Sequence, residues 1–98
     1  HGLLGLTRAL AQEVAAKGVT VNAVCPGVTD TDIVAESVAR IVAKTGRDEA
    51  AARAELAKHN PQLRLVRPEE VAAAVVMLCL PGASAINGQA IAVDGGET

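Results

Sequence analysis

Val19-Thr-Val-Asn22-Ala-Val-Cys25-Pro26-Gly27-Val28-Thr29-Asp30-Thr31 is the stretch on which the fold turns. Its first half is β-branched and almost continuously apolar, which suits a strand covered on both faces. It stops at Pro-Gly and passes into a polar loop that opens a helix. In open parallel sheets, ligands bind just past the carboxyl ends of the strands. A Pro-Gly break at that place turns backbone N–H and C=O groups toward a ligand instead of a neighbouring strand. Asn22 interrupts the apolar run and reads as a satisfied core amide bonded locally to backbone, ahead of a direct ligand contact.

Working outward, Leu3, Leu6, Leu10 and Val14 make one apolar stripe on a helix over 2–16, which Lys17 and Gly18 bring to a stop. Ala9, Ala11, Ala15 and Ala16 keep its other faces small and suit close helix-to-helix approach. On the other side, 31–44 reads as a helix carrying Ile33, Val34, Val38, Ile41 and Val42, with Asp30 or Thr31 as its cap. Asp48 is placed to cap an Ala-rich, charge-decorated surface helix that reaches about residue 59. Pro68-Glu69-Glu70 opens a further helix over 68–80, with proline first and carboxylates in the first turn. A short strand at 89–93 and the glycine turn Asp94-Gly95-Gly96 follow. Two buried strands joined by a helical crossover make a right-handed parallel βαβ unit. Two strands are not a sheet, and no strand precedes the first helix. The expected fold is therefore the C-terminal part of a larger α/β domain.

Composition narrows the function classes. The chain has 98 residues, a net charge of −2, and no Phe, Tyr or Trp. Within it there is no tyrosine to act as a general acid and no aromatic platform for nucleic-acid bases. Its nine basic and eleven acidic residues are interspersed, which points away from nucleic acid and anionic membranes. No apolar run approaches the roughly 20 residues that span a bilayer. The start lacks a methionine and a signal-peptide pattern, so the chain reads as cut from something longer. Cys25 and Cys79, each in an apolar segment, read as buried structural thiols, with neither a disulfide nor a metal site; a cytoplasmic origin fits.

Several segments together resemble the short-chain dehydrogenase/reductase family. They are His1-Gly-Leu-Leu-Gly-Leu-Thr-Arg-Ala-Leu-Ala-Gln-Glu13, Val21-Asn-Ala-Val-Cys-Pro-Gly27 with Thr31, Arg67-Pro-Glu-Glu-Val71, Asn87-Gly-Gln89 and Val93-Asp-Gly-Gly96. They cover 1–31 and 61–96 in the family's order and spacing. The resemblance implies a Rossmann-type doubly wound parallel sheet, of which residues 1–98 carry the last two strands with their flanking helices. It places the family's catalytic Tyr-x-x-x-Lys directly upstream, with the lysine immediately before His1. The catalytic serine and the glycine-rich dinucleotide loop also fall outside these residues. The chain by itself is then expected to hold no catalytic residue and to be inactive.

By the same resemblance, Pro26, Gly27, Val28 and Thr29 hold the nicotinamide end of NAD or NADP. A carboxamide needs one donor and one acceptor, which backbone at this place supplies. Thr29 stands where the family usually has Ile or Val, so its backbone matters more than its side chain. The Thr31 hydroxyl would reach the carboxamide or a phosphate, a role compatible with capping the next helix. Residues 32–59 correspond to the family's lid, with Ile33, Val34 and Ser37 as substrate contacts. His59 reads as a solvated surface histidine, and His1 as a helix residue beside the site. The last strand and the first helix resemble the surfaces through which the family forms dimers and tetramers. The implied function is interconversion of a secondary alcohol and a ketone, with a 3-hydroxyacyl or 3-oxoacyl thioester as substrate. The alternative is a non-catalytic binding or oligomerisation module derived from the same fold, and the residues before His1 discriminate the two.

Overall fold

Backbone pairing between residues far apart in sequence organises this molecule. The computed structural model describes residues 2–98, so His1 lies outside the described residues. Helix α1 (Gly2–Val14) passes into a 3-10 turn (Ala15–Lys17) and stops at Gly18, whose φ of 77° places it in the left-handed region. Strand β1 (Ala23–Pro26) follows, then α2 (Asp32–Thr45), α3 (Glu49–Ala57), α4 (Pro68–Leu78), a 3-10 turn (Pro81–Ala83) and β2 (Ala90–Val93). The strands run parallel, Ala23 opposite Ala90 through Pro26 opposite Val93, with the three helices in the crossover.

Both strands are shorter than the apolar pattern suggests, because side-chain amides replace the first rungs. The Val21 N–H donates to Asn87 Oδ1 at 3.0 Å, and Gly88 N–H donates to Val21 C=O at 2.8 Å. Asn22 Nδ2 donates to Ile86 C=O and Asn22 Oδ1 accepts from Gln89 N–H, each at 3.0 Å. Asn22 is thus a satisfied amide, but its partners lie across the sheet and not in its own neighbourhood. An amide side chain carries the same donor and acceptor as a peptide group and extends the ladder by one step.

Other expectations about burial are corrected. Of β1 only Ala23 is buried, and Cys25 and Cys79 are both free and exposed. A sheet of two strands is too narrow to be covered on both faces. Similarly, α1 does not bury its leucine stripe: Leu3 and Leu6 are more than half exposed, while Thr7 and Ala11 are buried. Ala11 is the residue that meets the loop before β2. A Cβ built on Gly88 would stand 3.5 Å from the Ala11 methyl.

Capping follows the sequence closely. Asp48 accepts from Ala51 N–H at 2.7 Å and opens α3, and Gly46 at φ 71° ends α2. Pro68 occupies the first turn of α4, where its missing N–H costs nothing. Glu70 accepts from Arg67 N–H at 3.0 Å and takes both guanidinium arms of Arg64 at 2.5 and 2.9 Å. The Arg64 guanidinium first, and the Arg67 N–H second, hold the Glu70 carboxyl down at about 2. A lowered folded-state pKa stabilises above the ordinary carboxylate value and is lost as pH falls toward the folded one. Glu70→Gln should therefore flatten the dependence of unfolding free energy on pH between about 4.5 and about 2. Denaturant titrations at several pH values read this directly, and parallel curves for both proteins would refute it.

The helix over 48–59 is more than a surface element. Ala52 of α3 is completely buried, against Val34 and Val38 of α2, and Val28, Ile41, Val42, Leu56 and Leu65 pack around them. Alanine at that position lets the two helices meet closely. The radius of gyration is 17.0 Å, with extents of 56 × 26 × 22 Å, against about 13 Å for a compact chain of 100 residues. The α2–α3 pair has its own small core and extends as an arm. The chain returns through Leu63, a non-glycine residue at φ 57°, a conformation that costs about 1–2 kcal/mol.

Candidate cofactor-binding site

The loop that follows β1 is held at two points. Gly27 N–H donates to Val93 C=O at 3.0 Å and carries the sheet ladder one residue past the strand. Farther on, Val66 N–H donates to Val28 C=O at 2.9 Å and Asp30 N–H donates to Val66 C=O at 2.8 Å, forming an isolated parallel bridge between Thr29 and Val66. Between these points the loop crosses Asp94 closely. A Cβ on Gly27 would lie 2.9 Å from Asp94 Cβ and 3.1 Å from Asp94 Cα. Asp94 cannot move aside, because its buried carboxylate accepts from Gly96 N–H, Thr98 N–H and Thr98 Oγ1. These bonds, Thr98 Oγ1 first, hold its pKa below the ordinary value.

Among the described residues, the N–H groups of Val28 and Thr29 and the C=O of Thr29 take no hydrogen bond. They offer donors and an acceptor on a backbone whose neighbours are fixed. The Thr29 hydroxyl donates to Gly27 C=O at 2.8 Å. That bond satisfies the hydroxyl within the loop and leaves the side chain to behave as a β-branched residue, which accounts for threonine at this place. Thr31 sits at the N-cap of α2, yet only its C=O is used, accepting from Ala35 N–H at 3.0 Å. Its exposed hydroxyl makes no cap bond and is available to a ligand. This donor set fits the carboxamide end of a nicotinamide dinucleotide. Pro26 ends the strand and brings no N–H to the loop.

The expected substrate contacts separate. Ile33 is 73% exposed at the start of α2. Ser37 is half-buried one turn on, its hydroxyl donating to Ile33 C=O at 3.1 Å. Val34 is instead a core residue of the α2–α3 pair, because its side chain falls on the face of α2 that meets Ala52. His59 is exposed after α3. Among the described residues, no three His, Cys, Asp or Glu side chains converge as a metal ion would require.

Three contributors went unnoticed in the sequence: Val66, Asp94 and Arg53. Val66 follows Leu65 in a short connector between Arg64 and Arg67 with no periodic signal, and Asp94 looked like one residue of a turn. Arg53 Nη2 stands 2.8 Å from Asp30 Oδ1, tying α3 to the loop, and Asp30 in turn raises the Arg53 pKa. A cavity of about 600 Å³ opens elsewhere, between Val19, Thr20, Leu78–Pro81 and Asn87. It lies at the amino end of β1, opposite the end where open α/β sheets bind ligands, so the loop remains the candidate.

Comparison with known proteins agrees with the fold. The family described as enoyl-(acyl carrier protein) reductase matches residues 1–98. Over 96 residues the chain is 45% identical to an acetoacetyl-CoA reductase of Rhizobium meliloti (strain 1021), covering 98% of this chain and 36% of that protein. A short chain dehydrogenase family protein from Francisella tularensis subsp. tularensis SCHU S4 superimposes with a TM-score of 0.90 at 29% identity, over 98% of this chain and 40% of that one. L-sorbose reductase from Gluconobacter frateurii, complexed with NADPH and L-sorbose, gives 0.90 at 31% identity, over 98% and 37%. The chain thus spans about a third of the length of the relatives it matches. Its α/β architecture is that of the Rossmann-type sheets in these neighbours, and with the family match running along its whole length, the chain belongs to the short-chain dehydrogenase/reductases.

Proposed function

We propose that this chain forms the nicotinamide side of an NAD- or NADP-dependent oxidoreductase that interconverts a secondary alcohol and a ketone. The observation that carries the reading is the loop 27–31, pressed against Asp94 and pinned to Val93 and Val66, with its Val28 and Thr29 amides unpaired. Preorganised donors cost little reorganisation when a ligand arrives. The bound dinucleotide would supply the hydride. Val28 and Thr29 orient its carboxamide through backbone, Pro26 and Gly27 form the turn that presents them, and the Thr31 hydroxyl adds one contact. Residues 32–59 act as the lid over the substrate and exclude water. Ile33 and Ser37 line its near side, while Val34 supports it from within.

The substrate is a small carbonyl or alcohol, and a 3-hydroxyacyl or 3-oxoacyl thioester fits the likeness to an acetoacetyl-CoA reductase. The chain holds no tyrosine; in this reading the acid/base tyrosine and its lysine are supplied by sequence preceding His1. The protein works in the cytoplasm as a homo-oligomer, a dimer or tetramer, with Leu3, Leu6 and Leu10 of α1 available to a second copy. Titration of the full-length protein with NADPH and NADH, followed by turnover of acetoacetyl-CoA, tests this. One nicotinamide should bind, and Thr31→Ala should weaken it about threefold to tenfold, the loss of one hydrogen bond. Failure of both cofactors to bind would overturn the proposal.

A further inference from the structure

The α2–α3 arm meets the rest of the chain at a narrow neck. The chain enters it at 29–31 and leaves it at 65–66, and these two passages are joined by the Thr29–Val66 bridge. Val28 and Leu65 pack against the arm's small core on either side of that bridge. A body with its own core, attached where its entering and leaving strands pair, can rotate about the pairing as a unit. Beyond the bridge, Asn60 just after α3 packs against Gly95 of the turn after β2, and one charged contact ties the arm to the loop after β1. Among the described residues, the ion pairs Arg47–Glu55, Lys58–Glu55, Arg64–Glu70 and Arg67–Glu70 are local in sequence. Arg53–Asp30, at 2.8 Å, instead spans the whole of α2 and fastens the middle of α3 to the loop. Asp30 lies between Thr29, whose amide is open, and Thr31, whose hydroxyl is free.

We propose that Arg53 is a positioning residue: its ion pair with Asp30 latches the arm to the ligand-facing loop, so that the angle of the lid and the placement of the loop are set together. The proposal rests on the oxidoreductase reading for its kinetic consequence, but its structural content stands apart. The facing groups are few. Glu49, one turn before Arg53 on α3, is the other carboxylate that acts on the guanidinium. Both partners of the latch are partly exposed, with side-chain exposures of 35% and 47%. Salt should therefore weaken the latch, and its effect should fall in the modest range of exposed pairs.

The test uses full-length protein carrying Arg53→Gln, Asp30→Asn, both together, or the exchanged pair Asp30→Arg with Arg53→Asp. Arg47→Gln, which breaks a pair internal to the arm, is the control. Hydrogen exchange of the Asp30 and Val66 amides is measured without ligand, and KM and kcat with substrate. Each single variant should speed exchange at both amides and raise KM about twofold to fivefold, with kcat less affected. The double variant should be no worse than either single, the exchanged pair should recover much of the loss, and 0.5 M salt should bring the wild type toward the single variants. Additive effects of the two singles, or an equal effect from Arg47→Gln, would overturn the latch. If the wild type binds no nicotinamide, the oxidoreductase reading fails while the exchange data still decide the latch.

Discussion

Alanine in place of Gly27 is expected to destabilise the protein by about 1–3 kcal/mol and to weaken dinucleotide binding at least tenfold. The added methyl has nowhere to go. It would meet Asp94 at Cβ and Cα, atoms of a residue fastened by three hydrogen bonds through its own carboxylate. Relief requires that the loop rise from β2, which breaks the bond from Gly27 N–H to Val93 and displaces the Val28 and Thr29 amides that the proposed function assigns to the carboxamide. The two losses share one cause and should appear together in denaturant melts and cofactor titrations. Gly82→Ala, where a Cβ meets nothing within 4 Å, is the control and should be nearly silent. Wild-type melting and binding in Gly27→Ala would contradict the close approach.

Gly95→Ala should be at least as damaging to stability, by about 2–4 kcal/mol, for two separable reasons. Gly95 has a φ of 67°, and an L-residue in that region costs about 1–2 kcal/mol. Its Cβ would also overlap the side-chain amide of Asn60. Asn60 is 7% exposed, and its Oδ1 accepts from Gln62 N–H at 2.7 Å, so the amide cannot swing clear without giving up that bond. Its Nδ2 is buried with no partner among the described residues, and the approach to Gly95 shows how tightly the turn and the connector after α3 are fitted. Urea unfolding measures the loss. Adding Asn60→Gly should relieve the overlap, leave the backbone penalty and forfeit the bond from Gln62 N–H. A change below about 0.5 kcal/mol for Gly95→Ala, the usual size of surface substitutions, would sink the account.

What the sequence disclosed and what it hid differ by range. Helix ends were legible because their chemistry is local: Gly18, Asp48 and Pro68 stop or start helices through atoms within four residues. The strand ending at Pro26 was legible for the same reason, as was the glycine turn after β2. Long-range pairings were not. Nothing near Asn22 announces that its amide bridges Ile86 and Gln89, and nothing near Val66 announces that it clasps the loop after β1. Burial failed where it depended on neighbours: the Leu3 and Leu6 stripe has the right period, yet the face that meets this chain's own sheet is that of Thr7 and Ala11. Ala52 was passed over because a helix with few large side chains looks solvated, although its smallness is what allows contact. In the candidate site, the loop could be found from Pro26-Gly27, whereas its two anchors and Arg53 are products of the fold.

The reciprocal amide bonds of Asn22 also bear on the order in which the molecule assembles. They join groups 64 and 67 residues apart, and the strand register they introduce closes a loop of similar span. Closing a long loop must precede any gain from the contacts it allows, and such contacts form slowly. The contacts within α2–α3 span few residues and carry no such delay. The arm is therefore expected to form early, and the sheet that carries the loop after β1 to be completed last. On that order Asn22 would act late, its single side chain bonding Ile86 and Gln89 of the returning segment as the strands come into register.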